Sequence, residues 1–395
     1  MPANSLRRRS LWTAATSSTA RPTAKPAGRS AVWAGRNELG FHQRARRLWG
    51  RSRESRESWL RGGWSRGRSA RRCAVIGLIL DSTVRLSDSD REVITEAFAG
   101  RVCTVDLTVT VDDDEFRDSQ LEPSELCSRM RGGSTARTSM PAVEDFAVEI
   151  RELLDDGADG VIIITLSAEM SGTYKAAAAA AAQVAQERGL EADGGAGAGG
   201  GAGAEGVRPG EAVGIRVIDS RTASAGSVGI AHWAAAYAQQ GIAVCSDAAE
   251  KAAAQYSATF FVPETLEYLH RGGRIGGAAA LFGRALKIVP VLQVDEGRVE
   301  PAARVRTTAK AARRAVDEAV AAVDAMRTLD GAENLRVQAT VMHPEATDGE
   351  ASTLFRAILE AAQAQWDDVD TAVLSTVVTA HVGPGAAGVE VRLVP

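Results

Sequence analysis

The sequence predicts a two-lobed α/β protein, with a parallel α/β sheet in the first lobe, a mixed α/β sheet in the second and a cleft between the lobes. Three observations carry this. From Arg72 onward, short β-rich runs alternate with helical stretches, the pattern of a parallel sheet covered by crossover helices. Two strand-like runs flank Asp295-Glu296-Gly297, a tight turn that joins antiparallel neighbours and makes the second sheet mixed. The chain has 395 residues, enough for two lobes with cores of their own.

In the first lobe, 73–245, strands are expected at Ala74–Leu80, Val102–Val111, Val161–Leu166 and Ile215–Ile218. Helices fit between them at Asp88–Ala99, Ala142–Leu154, Thr173–Arg188 and Ser224–Gln240, the second starting just after Pro141, a common place for a helix to begin. The segment 189–211 is a Gly/Ala-rich insertion that joins a helix to a strand. Its formal GxGxxG at Gly195, Gly197 and Gly200 follows a helix instead of a strand, so it is not read as a dinucleotide site. The second lobe, 246–395, offers strands at Thr259–Val262, Ile288–Val294, Leu335–Met342 and Ala372–Ala380. Its helices are expected at Pro263–His270, Ala278–Leu286, Thr307–Met326 and Glu350–Gln363.

Residues 1–72 are a different object. They hold 18 of the 46 basic residues, three of the 50 acidic ones and five of the seven Trp, with no sustained period, and read as a basic disordered tail or a mis-assigned start. Arg7-Arg8-Arg9 faintly resembles a twin-arginine signal, but the segment after it is too polar for a signal core. Cys73, Cys103, Cys127 and Cys245 are scattered without a CxxC pair, which predicts reduced thiols in a cytoplasmic protein and no zinc site or disulfide frame. No apolar run reaches the ~20 residues of a membrane helix.

The chemistry collects where predicted strands end. The run Gly160–Tyr174, GVIIITLSAEMSGTY, empties a buried strand into Ser171, Gly172 and Thr173 at the start of a long helix. Unpaired N–H groups and a partial positive charge make that point an anion site, and helix capping alone is the plain alternative. Asp81-Ser82-Thr83, Asp219-Ser220 and His381-Val382-Gly383 occupy similar positions, and Thr138-Ser139 supplies two hydroxyls immediately before a helix. Loops at that edge are where ligands bind in open α/β sheets.

Eight segments in order, LILDSTVRLS, FRDSQLEPSEL, TSMPAVEDF, LSAEMSGTYKAA, VIDSRTASAGSVGIA, LEYLHRGGRIGG, KIVPVLQVDEGRVEPAARVRTTAKA and HVGPGAAG, resemble the DegV family of bacterial fatty-acid-binding proteins from about Val75 to Val394. The resemblance implies a two-lobed protein with its ligand in the interlobe cleft, one long-chain fatty acid whose tail lies in an apolar tunnel and whose carboxylate lies in the cleft. It further implies a non-catalytic subunit that presents that carboxylate to a separate fatty acid kinase subunit for acyl-phosphate formation. Carried over by motif, Thr138, Ser171 and His381 are the carboxylate's partners. Ser139, Gly172, Thr173, Arg274 and Arg306 are supporting or partner-contact candidates. No cofactor and no metal are implied. Glu169 departs from the family pattern, since a carboxylate beside a carboxylate site repels the ligand unless it faces solvent.

Two other functions compete. Ser171, Asp219 and His381 follow the chain order of an α/β-hydrolase triad, but the residues two before and two after Ser171 are Glu169 and Thr173, where a nucleophile elbow needs glycines. A nucleic-acid-binding regulator rests on residues 1–72 alone. A kinase acting alone is disfavoured because the chain has no GxxxxGK[ST] loop.

Overall fold

The first sheet is centred on two strands, Ile76–Asp81 and Gly160–Thr165, that are buried on both faces. In the computed structural model, which describes residues 74–194, 214–281, 288–345 and 353–395, β1 spans Ile76–Asp81 and is buried throughout. The next strand, β2, spans Val102–Val105, after the helix Asp88–Ala97. That helix starts at a capping box in which Ser87 and Asp90 satisfy one another's backbone N–H groups. The chain then leaves this sheet. Strands β3 (Thr108–Val111), β4 (Asp114–Arg117) and β5 (Ala136–Ser139) form a small antiparallel sheet in the order β4-β3-β5, with the helix Pro123–Arg131 between the last two.

The expected single strand Val102–Val111 is therefore two strands in different sheets. Ser82 explains the break: its N–H bonds the Val105 carbonyl at 3.0 Å and its Oγ accepts the Leu107 N–H at 3.1 Å. After the helix Val143–Asp155, β6 (Gly160–Thr165) returns to the first sheet, buried on both faces. The helix Thr173–Arg188 ends at Gly189 in the left-handed conformation, φ 65°, the usual helix stop. Strands β7 (Glu191–Gly194) and β8 (Gly214–Asp219) complete a five-stranded sheet, β2-β1-β6-β8-β7, in which every pairing is parallel. β7 lies within the segment expected to be all insertion. The GxGxxG positions fall outside the described residues.

The helices Ala225–Tyr237 and Ile242–Gln255 follow. The second was not foreseen, and the expected lobe boundary after Cys245 lies inside it. The second sheet contains β9 (Ser257–Val262), β10 (Val289–Asp295), β11 (Arg298–Val305), β12 (Arg336–His343), β13 (Val369–Val373) and β14 (Ala387–Val394). Their order is β11-β10-β9-β14-β12-β13, antiparallel except for β12 with β13. The β10–β11 hairpin turns through Glu296 and Gly297 at φ 49° and 80°, the two positive values of a type I′ turn. The helices Thr308–Arg327 and Thr353–Gln363 cover the sheet. The helix expected at Pro263–His270 is the shorter Glu267–Arg271. The one expected at Ala278–Leu286 is a 3₁₀ segment, Gly276–Leu281, whose continuation lies outside the described residues.

One correction changes the site. The β-branched run Ala372–Ala380 was expected as a strand, but β13 stops at Val373 and Thr376–Val382 is helical. Ser375 caps that helix, its Oγ accepting the Val378 N–H at 3.2 Å. The buried Asp118 carboxylate, far away in sequence, accepts the Thr376 and Val377 N–H groups at 2.8 and 3.3 Å and the Thr376 hydroxyl at 2.5 Å. A carboxyl acceptor on otherwise unpaired N–H groups outweighs the strand preference of valine. His381 is consequently a helical residue, and the last strand is β14.

The lobes share a core. Leu393 of β14 packs in one apolar cluster with Ile76, Leu78, Ile164 and Trp233, and the Trp233 indole N–H donates to the Leu393 carbonyl at 2.8 Å. At the hairpin tip the Ser167 hydroxyl donates to the Gly297 carbonyl at 2.7 Å.

Candidate functional site

A pocket enclosing about 950 Å³, open solvent at its mouth included, lies between the two large sheets and the small one. Leu166, Met170 and Ala223 come from the first-lobe strand ends. Phe261, Val294, Val299 and Met342 come from the second sheet, and Val377 and Val378 from the helix Thr376–Val382. The wall is mostly apolar, and its polar side chains include Thr138, Ser139, Ser171, Arg274 and His381. A mostly apolar cavity with a few convergent polar groups is the usual form of a small-molecule site.

Thr138 reaches the pocket from β5, where it pairs with Val109 of β3, so it is a strand residue and caps nothing. Its Oγ1 lies 2.8 Å from His381 Nε2, joining residues 243 positions apart. His381 Nδ1 is buried and finds no hydrogen-bond partner among the described residues. Burial, with the Arg274 guanidinium a lesser cause, pushes the imidazole down to about 4. The ring is thus neutral near pH 7. With its proton on Nε2 it donates to Thr138 Oγ1 and leaves the threonine hydroxyl free to donate into the pocket.

Ser171 sits one residue before Gly172, the N-cap of the helix Thr173–Arg188. Its Oγ is 2.8 Å from Thr173 Oγ1 and accepts the Thr173 N–H at 3.2 Å, so it is both a capping group and part of the pocket wall. Thr173 and Gly172 stand behind it and are not in the wall. A Cβ on Gly172 would lie 2.4 Å from Met140 Sδ, so the glycine lets the helix start approach β5. Arg274 lines the pocket with its guanidinium anchored on the Met170 and Gly272 carbonyls at 2.9 and 2.6 Å. Arg306 is exposed and lies outside the pocket wall.

Glu169 points away from the wall, with Arg298 Nε donating to Glu169 Oε2 at 2.8 Å across the lobes. The repulsion expected from its charge is therefore met by a cation outside the pocket. The hydrolase arrangement is not assembled. Asp219 accepts the Ala168 and Arg221 N–H groups at 3.1 and 2.9 Å, and the ring nitrogen of His381 that has a partner has Thr138, so no Ser171–His381–Asp219 relay exists among the described residues. Sequence reasoning missed Asp118, whose role in setting the His381 helix no local pattern displays. It also missed Ser224 and Thr259, which line the pocket as well.

The depressed His381 value has a stability consequence. Between its ordinary 6.5 and about 4, the unfolded chain binds a proton that the folded protein does not, so stability is full above pH 6.5 and falls as pH drops through this window. Asp81, buried at the end of β1 and bonded by the N–H groups of Thr83 and Leu166, is pushed up to about 6 by burial and acts in the opposite sense. Chemical denaturation of the wild type and of His381→Gln at pH 7 and pH 5 separates the two. The wild type is expected to lose more stability on acidification than the variant, by about 1–2 kcal/mol. Equal losses would show that His381 is readily protonated in the fold.

Residues 75–392 match the family model described as uncharacterised protein, DegV family. A DegV domain-containing protein of Streptomyces coelicolor is 34% identical over 293 residues, covering 73% of this chain and 90% of the relative. A fatty acid-binding protein of Thermotoga maritima is 25% identical over 296 residues, 72% of this chain and 88% of that protein. Among solved structures, a DegV family protein from Thermus thermophilus, described by its fatty acid binding, superposes with a TM-score of 0.61 at 28% identity. It covers 81% of this chain and 99% of its own. A family model that spans most of the chain and a relative of 34% identity over nearly its whole length leave one conclusion: the chain belongs to the DegV family.

Proposed function

We propose that this protein binds one long-chain fatty acid, its tail along the apolar wall of the pocket and its carboxylate against Thr138, Ser171 and His381. It then presents the carboxylate to a separate kinase subunit, where a carboxylate oxygen takes the γ-phosphoryl group of ATP to give an acyl phosphate and ADP. The observation that carries this reading is the convergence of Thr138, Ser171 and His381 on one largely apolar pocket. Fatty acid binding by the Thermus and Thermotoga relatives supports it.

The energetics fit an anion held without a dedicated cation. Hydrogen bonds from hydroxyls to an ionised carboxylate are roughly twice as strong as neutral ones. Each buried methylene adds about 0.8 kcal/mol, enough over a long chain to offset the ordering cost of binding. Arg274 at the wall and the exposed Arg306 are the cations we assign to structure or to contact with the kinase.

Native mass spectrometry of freshly purified protein tests the binding step. A co-purifying mass of one acyl chain is expected, and Thr138→Ala or Ser171→Ala should weaken retention by about 1.5–3 kcal/mol, the worth of a hydrogen bond to a charged group. Protein that carries no lipid and takes up none from stearate would overturn the reading. For presentation, the loaded protein, ATP and a fatty acid kinase catalytic subunit should yield hydroxylamine-trappable acyl phosphate. Failure of that arm alone would remove the kinase step and leave lipid binding standing.

A further inference from the structure

The pocket holds hydroxyls that carboxylate binding does not use. Ser224 lines it, is only 3% exposed, and its Oγ has no hydrogen-bond partner among the described residues. Although Ser224 directly precedes the helix Ala225–Tyr237, its side chain makes no capping bond, and its backbone stands at φ 58°, ψ −129°, where L-residues are strained. Thr259, on β9 and 8% exposed, lines the same pocket. Its Oγ1 has one long contact, 3.4 Å to Thr222 Oγ1. Ala223, Met342 and Leu374 make the neighbouring pocket wall apolar.

A buried hydroxyl without a partner in an apolar wall is unfavourable, and most such groups are paired in folded proteins. A hydroxyl on the ligand both donates and accepts, so it satisfies a serine and a threonine together. Sites built to hydrogen-bond a ligand oxygen also discriminate strongly against the analogue that lacks it. We propose that Ser224 and Thr259 form a second polar subsite, which selects acyl chains bearing an oxygen substituent, so that a hydroxy fatty acid is the preferred ligand. This deepens the fatty acid reading and rests on it.

Competition between stearate and a series of hydroxystearates differing in hydroxyl position, read by native mass spectrometry, tests the proposal on the full chain. At least one positional isomer should outcompete stearate by roughly tenfold or more, the effect of one good buried hydrogen bond. That preference should move toward parity in Ser224→Ala and in the near-isosteric Thr259→Val, the second deciding the matter if the first fails to fold. Isomers that bind no tighter than stearate overturn the subsite, as does a preference that survives both substitutions. A stearate complex in which an ordered water joins Ser224 and Thr259, with no preference among the chains, does so too. Wild-type protein that binds neither stearate nor any hydroxystearate refutes fatty acid binding itself, a distinct outcome.

Discussion

A methyl group at position 272 is expected to empty the pocket of lipid while leaving the protein folded. Gly272 follows the helix Glu267–Arg271 with φ −74°, ψ −10°, a conformation alanine adopts freely, so Gly272→Ala brings no backbone strain. Its Cβ would however stand 2.3 Å from His381 Nδ1 and 2.9 Å from Cε1, well inside contact distance. The helix bearing His381 is pinned by Asp118 at its start, so the ring itself must turn. Turning it breaks the 2.8 Å contact with Thr138 Oγ1 and disorders two of the three proposed carboxylate partners at once. Fatty acid retention measured by native mass spectrometry should fall by at least the tenfold to hundredfold of a single lost charged hydrogen bond. Stability should drop by only the ~1–3 kcal/mol typical of overpacking. Gly273→Ala serves as the contrast: φ there is +73° and nothing lies within 4 Å of the added carbon, so it strains the backbone without touching the ring. Lipid retention at the wild-type level in Gly272→Ala would show that His381 has no part in holding the ligand.

Arg392→Met is expected to produce the largest loss of stability. Arg392 and Glu390 alternate along β14 and are both buried, at 2% and 0% exposure. Arg392 Nη1 donates to Glu390 Oε2 at 2.5 Å and to Thr340 Oγ1 at 2.9 Å, and the Ser257 hydroxyl supplies Glu390 Oε1 at 3.1 Å. The arginine stem also fills the space over Gly229, where a Cβ would meet Arg392 Cδ at 2.6 Å, so the helix Ala225–Tyr237 lies close on the sheet. Methionine replaces much of that volume but leaves a carboxylate buried without its cation, which costs about 3–5 kcal/mol. Burial already pushes Glu390 upward and Arg392 opposes it. Without the arginine the value rises further, so the penalty shrinks as pH falls and the acid becomes neutral. Urea unfolding at pH 7.5 and 5 should show that narrowing, and adding Glu390→Gln should recover much of the loss. A penalty below about 1 kcal/mol at pH 7.5 would mean that water reaches the pair.

The alternation along β14 is a strand signal, but it misleads about which side chains are buried. Val389, Val391 and Leu393 repeat at every second position with charged residues between them, a pattern that normally places the charges in solvent. Here they are buried, and the carboxylate is neutralised by a guanidinium two residues along the same strand. By contrast, β6 and the helix Thr173–Arg188 were legible from their residues. A strand apolar on both faces belongs inside a parallel sheet, and the helix runs from the Ser171-Gly172-Thr173 step to a glycine that stops it. The run after Val373 was misread because valine and threonine favour strands, while the Asp118 carboxylate that makes it helical lies 258 residues away from Thr376.

Local pattern was enough for the α/β class, the all-parallel first sheet, the hairpin at Asp295–Arg298 and the placing of hydroxyl-bearing residues at strand ends, because these depend on side-chain periodicity and turn chemistry within a few residues. The eight-segment resemblance added Thr138, Ser171 and His381 to one site. That Thr138 and His381 touch, that the imidazole is neutral, that Glu169 turns outward to Arg298 and that Arg306 stays outside the pocket all depend on chain segments far apart in sequence coming together. Burial and the field of distant charges arise only when the lobes close on their shared core, so no reading of neighbouring residues contains them.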